Sequence, residues 1–307
     1  MALLVLMPGR NTDTLVARMR SLRPNLDIRV WPEIGNTSDI EFIVTWNHSP
    51  GELKKYPNLR GISSYGAGVD HILRDPELPE GIPIARVVDQ KLIHEVSQYA
   101  VSAVLNQKRH WEGYRENQRK KKWRPIPMAK TDAIGILGLG QIGQTTARAF
   151  VKLGFHVYGW DRAPKKIQSV HCFHGEAQFA QLLSVVDYLI CSLPLTPSTK
   201  NILNKKTFRR LKQGAYVINM GRGDHLVEED LLEAIEEGHI SGACLDVFRM
   251  EPLPQGHPFW NHPKITVTPH IAGITDPDAV AGQLLKNYRR MQKGLPPLNT
   301  INRQRGF

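Results

Sequence analysis

Three glycines at a fixed spacing are the first sign of chemistry in this chain. Gly138-Leu139-Gly140-Gln141-Ile142-Gly143 reads G-x-G-x-x-G. Alone, such a triplet is weak evidence, because glycines are common in turns. Its flanks strengthen it. The apolar run Ala133–Leu137 reads as a buried strand, and Thr146, Ala149, Phe150 and Leu153 recur along a following helix. Gly138 permits a tight turn, Gly140 lets a pyrophosphate approach the backbone, and Gly143 lets helix and strand pack closely. The first helical turn, with Gln141 and Ile142, then presents N–H groups and a partial positive charge to phosphates. The ligand this pattern implies is a dinucleotide.

The next strand, His156–Trp160, ends at Asp161, 18 residues beyond Gly143. An acid that accepts hydrogen bonds from the adenosine ribose is expected about 20 residues on. A carboxylate there repels a 2′-phosphate, so NAD is the expected cofactor. Arg162, Lys165 and Lys166 follow directly, and such cations can hold that phosphate, which keeps NADP open.

Three later segments each follow an apolar strand. They are Asn219-Met220-Gly221-Arg222-Gly223, then Leu245-Asp246-Val247-Phe248 leading to Glu251-Pro252-Leu253-Pro254, and Thr268-Pro269-His270-Ile271-Ala272-Gly273. Open parallel sheets bind ligands beyond the carboxyl ends of their strands. Arg222, Glu251 and His270 can therefore converge although they are far apart in sequence. Any one of them alone is an ordinary salt-bridge or turn residue; the three in such segments are not.

The elements that must position these residues alternate strand and helix. In the first ~95 residues, Leu3–Met7, Phe42–Thr45 and Leu59–Ser63 read as strands, with Thr12–Leu22 as an amphipathic helix. A long helix is expected from about Glu95 to Lys121, stopped at Trp123-Arg124-Pro125. A second α/β region of six strands follows: Ala133–Leu137, His156–Trp160, Tyr188–Cys191, Val217–Asn219, Ala243–Leu245 and Ile265–Val267. The last helix runs from Pro277 to Lys293. The 307 residues suit two domains, and alternating strands and helices suit doubly wound parallel sheets.

Composition narrows the function classes. With 41% hydrophobic and 22% charged residues the chain is globular. Three cysteines without C-x-x-C spacing exclude a disulfide framework or a cysteine zinc site and fit the cytoplasm. No apolar run is long enough for a membrane span. The net charge of +11 favours anionic ligands. The cluster Arg119–Arg124 reads as a solvated helix end, since no nucleic-acid module accompanies it. His94-Glu95-Val96-Ser97-Gln98 lacks the second histidine of a zinc H-E-x-x-H site, so no metal is expected.

Taken together, the glycine fingerprint, the three strand-end segments and Ser64-Tyr65-Gly66-Ala67-Gly68-Val69-Asp70 resemble the D-2-hydroxyacid dehydrogenase family over nearly the whole chain. Within it they are most similar to glyoxylate/hydroxypyruvate reductases. The resemblance implies two doubly wound domains: a Rossmann dinucleotide-binding domain over 98–275, and a flavodoxin-like, discontinuous substrate domain formed by 1–97 and 276–307. It implies hydride transfer from NAD(P)H to a small 2-keto acid, with a homodimer as the assembly. His270 would be the general acid and Glu251 its orienting partner, while Arg222 would grip the substrate carboxylate. Asp246 would contact the nicotinamide carboxamide. The Gly66–Val69 loop, through Gly66, Ala67 and Gly68, would offer N–H groups to that carboxylate. Two readings stay open: Trp46 lines the substrate pocket or belongs to the core, and Leu193-Pro194 packs near the nicotinamide or is a plain strand-end turn. A nicotinamide-binding corepressor on the same fold is the alternative function. Formate oxidation is disfavoured, because Glu251 stands where that chemistry resembles a glutamine arrangement.

Overall fold

Strands covered on both faces must be apolar at every position, and the first strand shows this. In the computed structural model, which describes residues 2–306, Leu3 and Val5 enter one core while Ala2, Leu4 and Leu6 enter another. The chain divides into two compact units, one made of residues up to Leu92 and from Thr275 onward, the other of Ile93–Ile274.

Toward the first unit the chain runs β1 (Ala2–Leu6), α1 (Asp13–Leu22), β2 (Ile28–Val30), β3 (Ile40–Thr45), β4 (Gly61–Ser64), α2 (Asp70–Leu73) and β5 (Ile84–Ala85). It continues through α3 (Gln90–Lys108), α4 (Trp111–Arg119), β6 (Ala133–Leu137), α5 (Gln141–Lys152), β7 (His156–Asp161), β8 (Val170–His174), α6 (Gly175–Val185) and β9 (Tyr188–Cys191). Then come α7 (Lys205–Phe208), β10 (Ala215–Asn219), α8 (Glu228–Glu236), β11 (Ile240–Leu245), β12 (Ile265–Val267) and α9 (Pro277–Gln292), the last belonging to the first unit.

Among the described residues, the first unit has a five-stranded parallel sheet in the order β2-β1-β3-β4-β5, the flavodoxin-like winding. Helices α1 and α9 cover one face: Leu15, Val16 and Met19 meet Leu284, Tyr288 and Met291 around Phe42 and Val44. The second unit has a seven-stranded parallel sheet, β12-β11-β10-β9-β6-β7-β8. Its winding reverses between β6 and β9, the switch point at which such sheets bind dinucleotides. The two doubly wound α/β domains expected from the sequence are therefore present.

Two expectations are corrected. The second sheet has β8 as a seventh strand, at an edge. The single helix over Glu95–Lys121 is two helices: His110 sits between α3 and α4 at φ 56°, a left-handed conformation that breaks the hydrogen-bond ladder without glycine or proline. No helix among the described residues is long and apolar enough to cross a membrane.

Candidate active site

Strand register brings the chemistry to one level. Leu137 pairs with Cys191, Cys191 with Asn219, Asn219 with Leu245 and Leu245 with Val267. The chain leaves each of these strands at the same edge of the sheet. Gly138, Ser192, Met220, Asp246 and Thr268 thus begin five loops side by side.

The glycine loop is shaped by close approach. Gly138 has φ 92°, and a Cβ there would lie 3.0 Å from the Ser192 carbonyl. A Cβ on Gly143 would come within 1.8 Å of the Gly138 carbonyl oxygen, so this glycine lets α5 sit against the loop itself. Gly140 differs: it is exposed, its Cβ position has no heavy atom within 4 Å, and it caps α5 without a side chain. Open space before the N–H groups of Gln141 and Ile142 is the form a pyrophosphate cradle needs, so the residues fit a dinucleotide.

Asp161 is turned inward. Its Oδ2 accepts from Leu139 N at 3.0 Å and its Oδ1 from Ala163 N at 3.2 Å. Oδ2 thus ties β7 to the glycine loop, while Oδ1 closes the turn that follows β7. Arg162, Lys165 and Lys166 lie exposed just beyond it.

The arginine loop is held by buried polar groups. Asn219, with no solvent exposure, accepts from Gly221 N at 3.2 Å and donates to Arg222 O at 2.9 Å. His225, equally buried, takes the Arg222 N–H on Nδ1 at 3.1 Å. A Cβ on Gly223 would stand 1.9 Å from the Phe248 carbonyl carbon, so the loop lies directly against the segment that leads to Glu251.

Glu251 and His270 meet. His270 Nδ1 lies 2.8 Å from Glu251 Oε2, and Phe248 N donates to Glu251 Oε1 at 3.0 Å. Burial pushes the Glu251 carboxyl up. The His270 hydrogen bond, the Phe248 N–H and the charges of His270 and Arg222 outweigh it and hold the group below its ordinary range. Arg222 is thus close enough to act electrostatically on Glu251.

Asp246 is tied into the loop that follows β12. Its side chain has no solvent exposure. It accepts from Thr268 Oγ1 at 2.6 Å and from the N–H groups of Ile271 and Ala272, each at 2.8 Å. Its own carbonyl accepts from His270 N at 2.9 Å. Behind it, Tyr99 on α3 bonds Thr268 Oγ1 at 2.7 Å and Cys244 Sγ at 3.1 Å. Burial pushes the Tyr99 phenol far up and the Cys244 thiol up to about 11, so neither ionises near neutrality. Asp246 therefore clamps the loop that holds His270 in its left-handed conformation (φ 54°).

Leu193 and Pro194 follow β9 beside the glycine loop; Leu193 is buried and Pro194 partly so. The Pro194 carbonyl accepts from Thr199 Oγ1 at 2.7 Å and contacts His225 Nε2 at 3.3 Å.

In the first unit, Trp46 is half-buried and fills the space a Gly66 side chain would occupy: a Cβ there would be 2.5 Å from the indole. The Gly66 N–H is taken by Ser64 Oγ at 3.2 Å, which corrects its expected role as a free donor. Ser64 Oγ also donates to Gly68 O at 2.7 Å. Among the described residues, the N–H groups of Ala67 and Gly68 make no hydrogen bond.

Sequence reasoning missed Asn219, His225, Thr268 and Tyr99. Asn219 carried a usable signal, an asparagine ending a strand two residues before a glycine, which suits an Asx turn.

The model of the D-isomer specific 2-hydroxyacid dehydrogenase NAD binding domain matches residues 101–272. The chain is 39% identical to glyoxylate/hydroxypyruvate reductase A of Serratia proteamaculans, over 98% of each chain. It is 40% identical to the protein of that name from Photorhabdus laumondii, over 94% of each. Among solved structures it resembles a D-isomer specific 2-hydroxyacid dehydrogenase of Xanthobacter autotrophicus in complex with NADPH and MES. The TM-score is 0.94 at 32% identity, covering 100% of this chain and 99% of that one. It also resembles an NADPH-dependent glyoxylate/hydroxypyruvate reductase of Sinorhizobium meliloti in complex with NADP and sulfate, with a TM-score of 0.93 at 31% identity and the same coverage. The chain belongs to the D-isomer-specific 2-hydroxyacid dehydrogenase family.

Proposed function

We propose that this protein is a reductase that uses NADPH to convert a small 2-keto acid to the 2-hydroxy acid, glyoxylate to an achiral product or hydroxypyruvate to the D-2-hydroxy acid. The carrying observation is the His270–Glu251 contact at 2.8 Å beside the charge of Arg222. Arg222 grips the carboxylate with its planar fork and polarises the ketone. Because the Nδ1–H of His270 is donated to Glu251, the transferable proton of the imidazolium stands on Nε2. It passes to the carbonyl oxygen as negative charge develops there, leaving a neutral ring still bonded to Glu251. When bound, the reduced nicotinamide supplies the hydride. Gly140 and the first turn of α5 hold its pyrophosphate, and Leu193-Pro194 packs near its ring. In the first unit, the N–H groups of Ala67 and Gly68 suit a carboxylate, and Trp46 walls their loop.

The preference for NADPH reverses the expectation drawn from Asp161 alone. The Leu139 N–H draws the Asp161 carboxylate toward the glycine loop and the Ala163 N–H toward the turn after β7, and Arg162, Lys165 and Lys166 take the 2′-phosphate. The NADP(H) complexes of similar proteins support this reading. A homodimer completes the proposal. α4 buries no side chain and exposes Trp111 and Tyr114, which a second copy of the chain would cover. The unpaired cysteines suit the cytoplasm.

The test is oxidation of NADPH and NADH by the purified protein with glyoxylate, hydroxypyruvate and pyruvate, with chiral analysis of product and formate as an oxidation control. No turnover of any 2-keto acid ends the reading. Preference for NADH ends only its cofactor part, and a monomer mass by light scattering only its assembly part.

A further inference from the structure

We propose that His225 is a positioning residue that couples Arg222 to the Leu193-Pro194 turn, so that one buried ring sets both the keto-acid grip and the nicotinamide wall. This rests on the reductase reading for the roles of Arg222 and Pro194.

The two ring nitrogens face partners of opposite kind. Nδ1 lies 3.1 Å from Arg222 N, a backbone donor, and Nε2 lies 3.3 Å from Pro194 O, a carbonyl that only accepts. The ring must therefore be neutral, with its proton on Nε2 and a bare Nδ1. A proton on Nδ1 would oppose two N–H groups. The ring is also wedged in place: a Cβ on Gly221 would come 2.9 Å from Nδ1 and 3.1 Å from Leu193 O. His225 has no solvent exposure, and its carbonyl accepts from Leu203 N at 2.8 Å. No apolar side chain of the same volume supplies an acceptor on one side and a donor on the other. The loops after β9 and β10 are joined through this imidazole, as the loops after β11 and β12 are joined through Asp246.

Two substitutions separate the ends of the ring. His225→Asn keeps an acceptor near the Nδ1 position and loses the reach to Pro194. His225→Gln keeps a donor near the Nε2 position and loses the acceptor for Arg222. Pro194 O retains its bond from Thr199, so the Asn variant should weaken NADPH binding, read by protein fluorescence quenching, only about threefold, with the keto-acid KM near wild type. The Gln variant should raise the keto-acid KM roughly tenfold, the scale of one net hydrogen bond, with the NADPH Kd near wild type. Nitrogen-15 NMR of histidine-labelled wild-type protein reads the tautomer directly, without activity. The signal lost in both variants should be that of a neutral ring protonated on Nε2. A ring protonated on Nδ1, or variants that shift both constants alike, overturns the proposal. If the variants do not fold, the wild-type tautomer decides. If the wild type reduces no 2-keto acid, the reductase reading fails, while the tautomer and the NADPH affinities still test the coupling.

Discussion

Glu251→Gln tests the proton-donating pair most sharply, because it changes charge with almost no change in shape. Glu251 accepts two donors on two oxygens, Phe248 N–H on Oε1 and His270 Nδ1 on Oε2. Glutamine has one acceptor oxygen and one NH2. Either it keeps Phe248 and presents a donor to His270, or it keeps His270 and sets its NH2 against the Phe248 N–H. In both cases the imidazolium loses a charged partner. Hydrogen bonds to charged groups contribute about 1.5–3 kcal/mol. The side chains here are 37% and 36% exposed, so solvent screening places the loss at the lower end. About 1.5–2 kcal/mol corresponds to a fall in kcat of roughly 10- to 30-fold. Steady-state kinetics with saturating NADPH and hydroxypyruvate measure it, and a variant within twofold of wild type would refute the pairing. The pH dependence of stability gives a second measure. The Glu251 carboxyl is held low in the folded state. Its stabilising contribution is then present above the unfolded value near 4.3 and is lost as pH falls through the lower folded value. The Tm difference between wild type and variant should be steady near neutrality and change as pH drops below about 4.

Other substitutions address the cradle and the clamp. Arg162→Gln should lower kcat/KM with NADPH about tenfold, one charged hydrogen bond, and leave NADH almost unchanged; an equal loss with both cofactors would refute the 2′-phosphate contact. Gly140→Ala adds a Cβ into open space, so calorimetry should show wild-type Tm while NADPH affinity falls at least about tenfold. Gly143→Ala drives a Cβ into the Gly138 carbonyl and should lower Tm as well; identical Tm for both variants would contradict that difference. Asp246→Ala strands the N–H groups of Ile271 and Ala272, each costing roughly 1–3 kcal/mol, while Thr268 Oγ1 keeps Tyr99, so Tm should fall by at least several degrees, and an unchanged Tm would show that the clamp contributes nothing.

The fold was largely legible because its signals are local. β1, β6, β9 and β10 are runs of apolar residues, and the glycine fingerprint occupies six consecutive positions. β8 was not legible: Val-His-Cys-Phe-His at an edge is mostly half-exposed and lacks the apolar continuity of a central strand. Nor was the break at His110, since nothing in its residue type marks a left-handed turn. Arg222, Glu251 and His270 were singled out through the segments around them, and the structure brings the last two into contact. The direction of the Asp161 carboxylate was invisible, because two backbone donors from separate turns decide it. The clamp formed by Asp246 was invisible for a related reason. Its partners, Thr268, Ile271 and Ala272, lie over 20 residues away, and no periodicity encodes them.

Parallel strands explain why the site exists but not why it is precise. Register places five loops at one edge, yet loops leaving a sheet carry no ladder hydrogen bonds to fix them. Here buried and half-buried polar side chains take over that task. Asn219 and His225 hold the arginine loop, Asp246 and Thr268 hold the histidine loop, and Ser192 donates to the carbonyls of Leu137 and Gly138 at 3.1 Å each. A buried polar group left without a partner is costly, so each of these side chains penalises any loop position that breaks its bonds. The geometry needed for proton transfer is thus enforced from beneath the site by residues that need never touch the substrate.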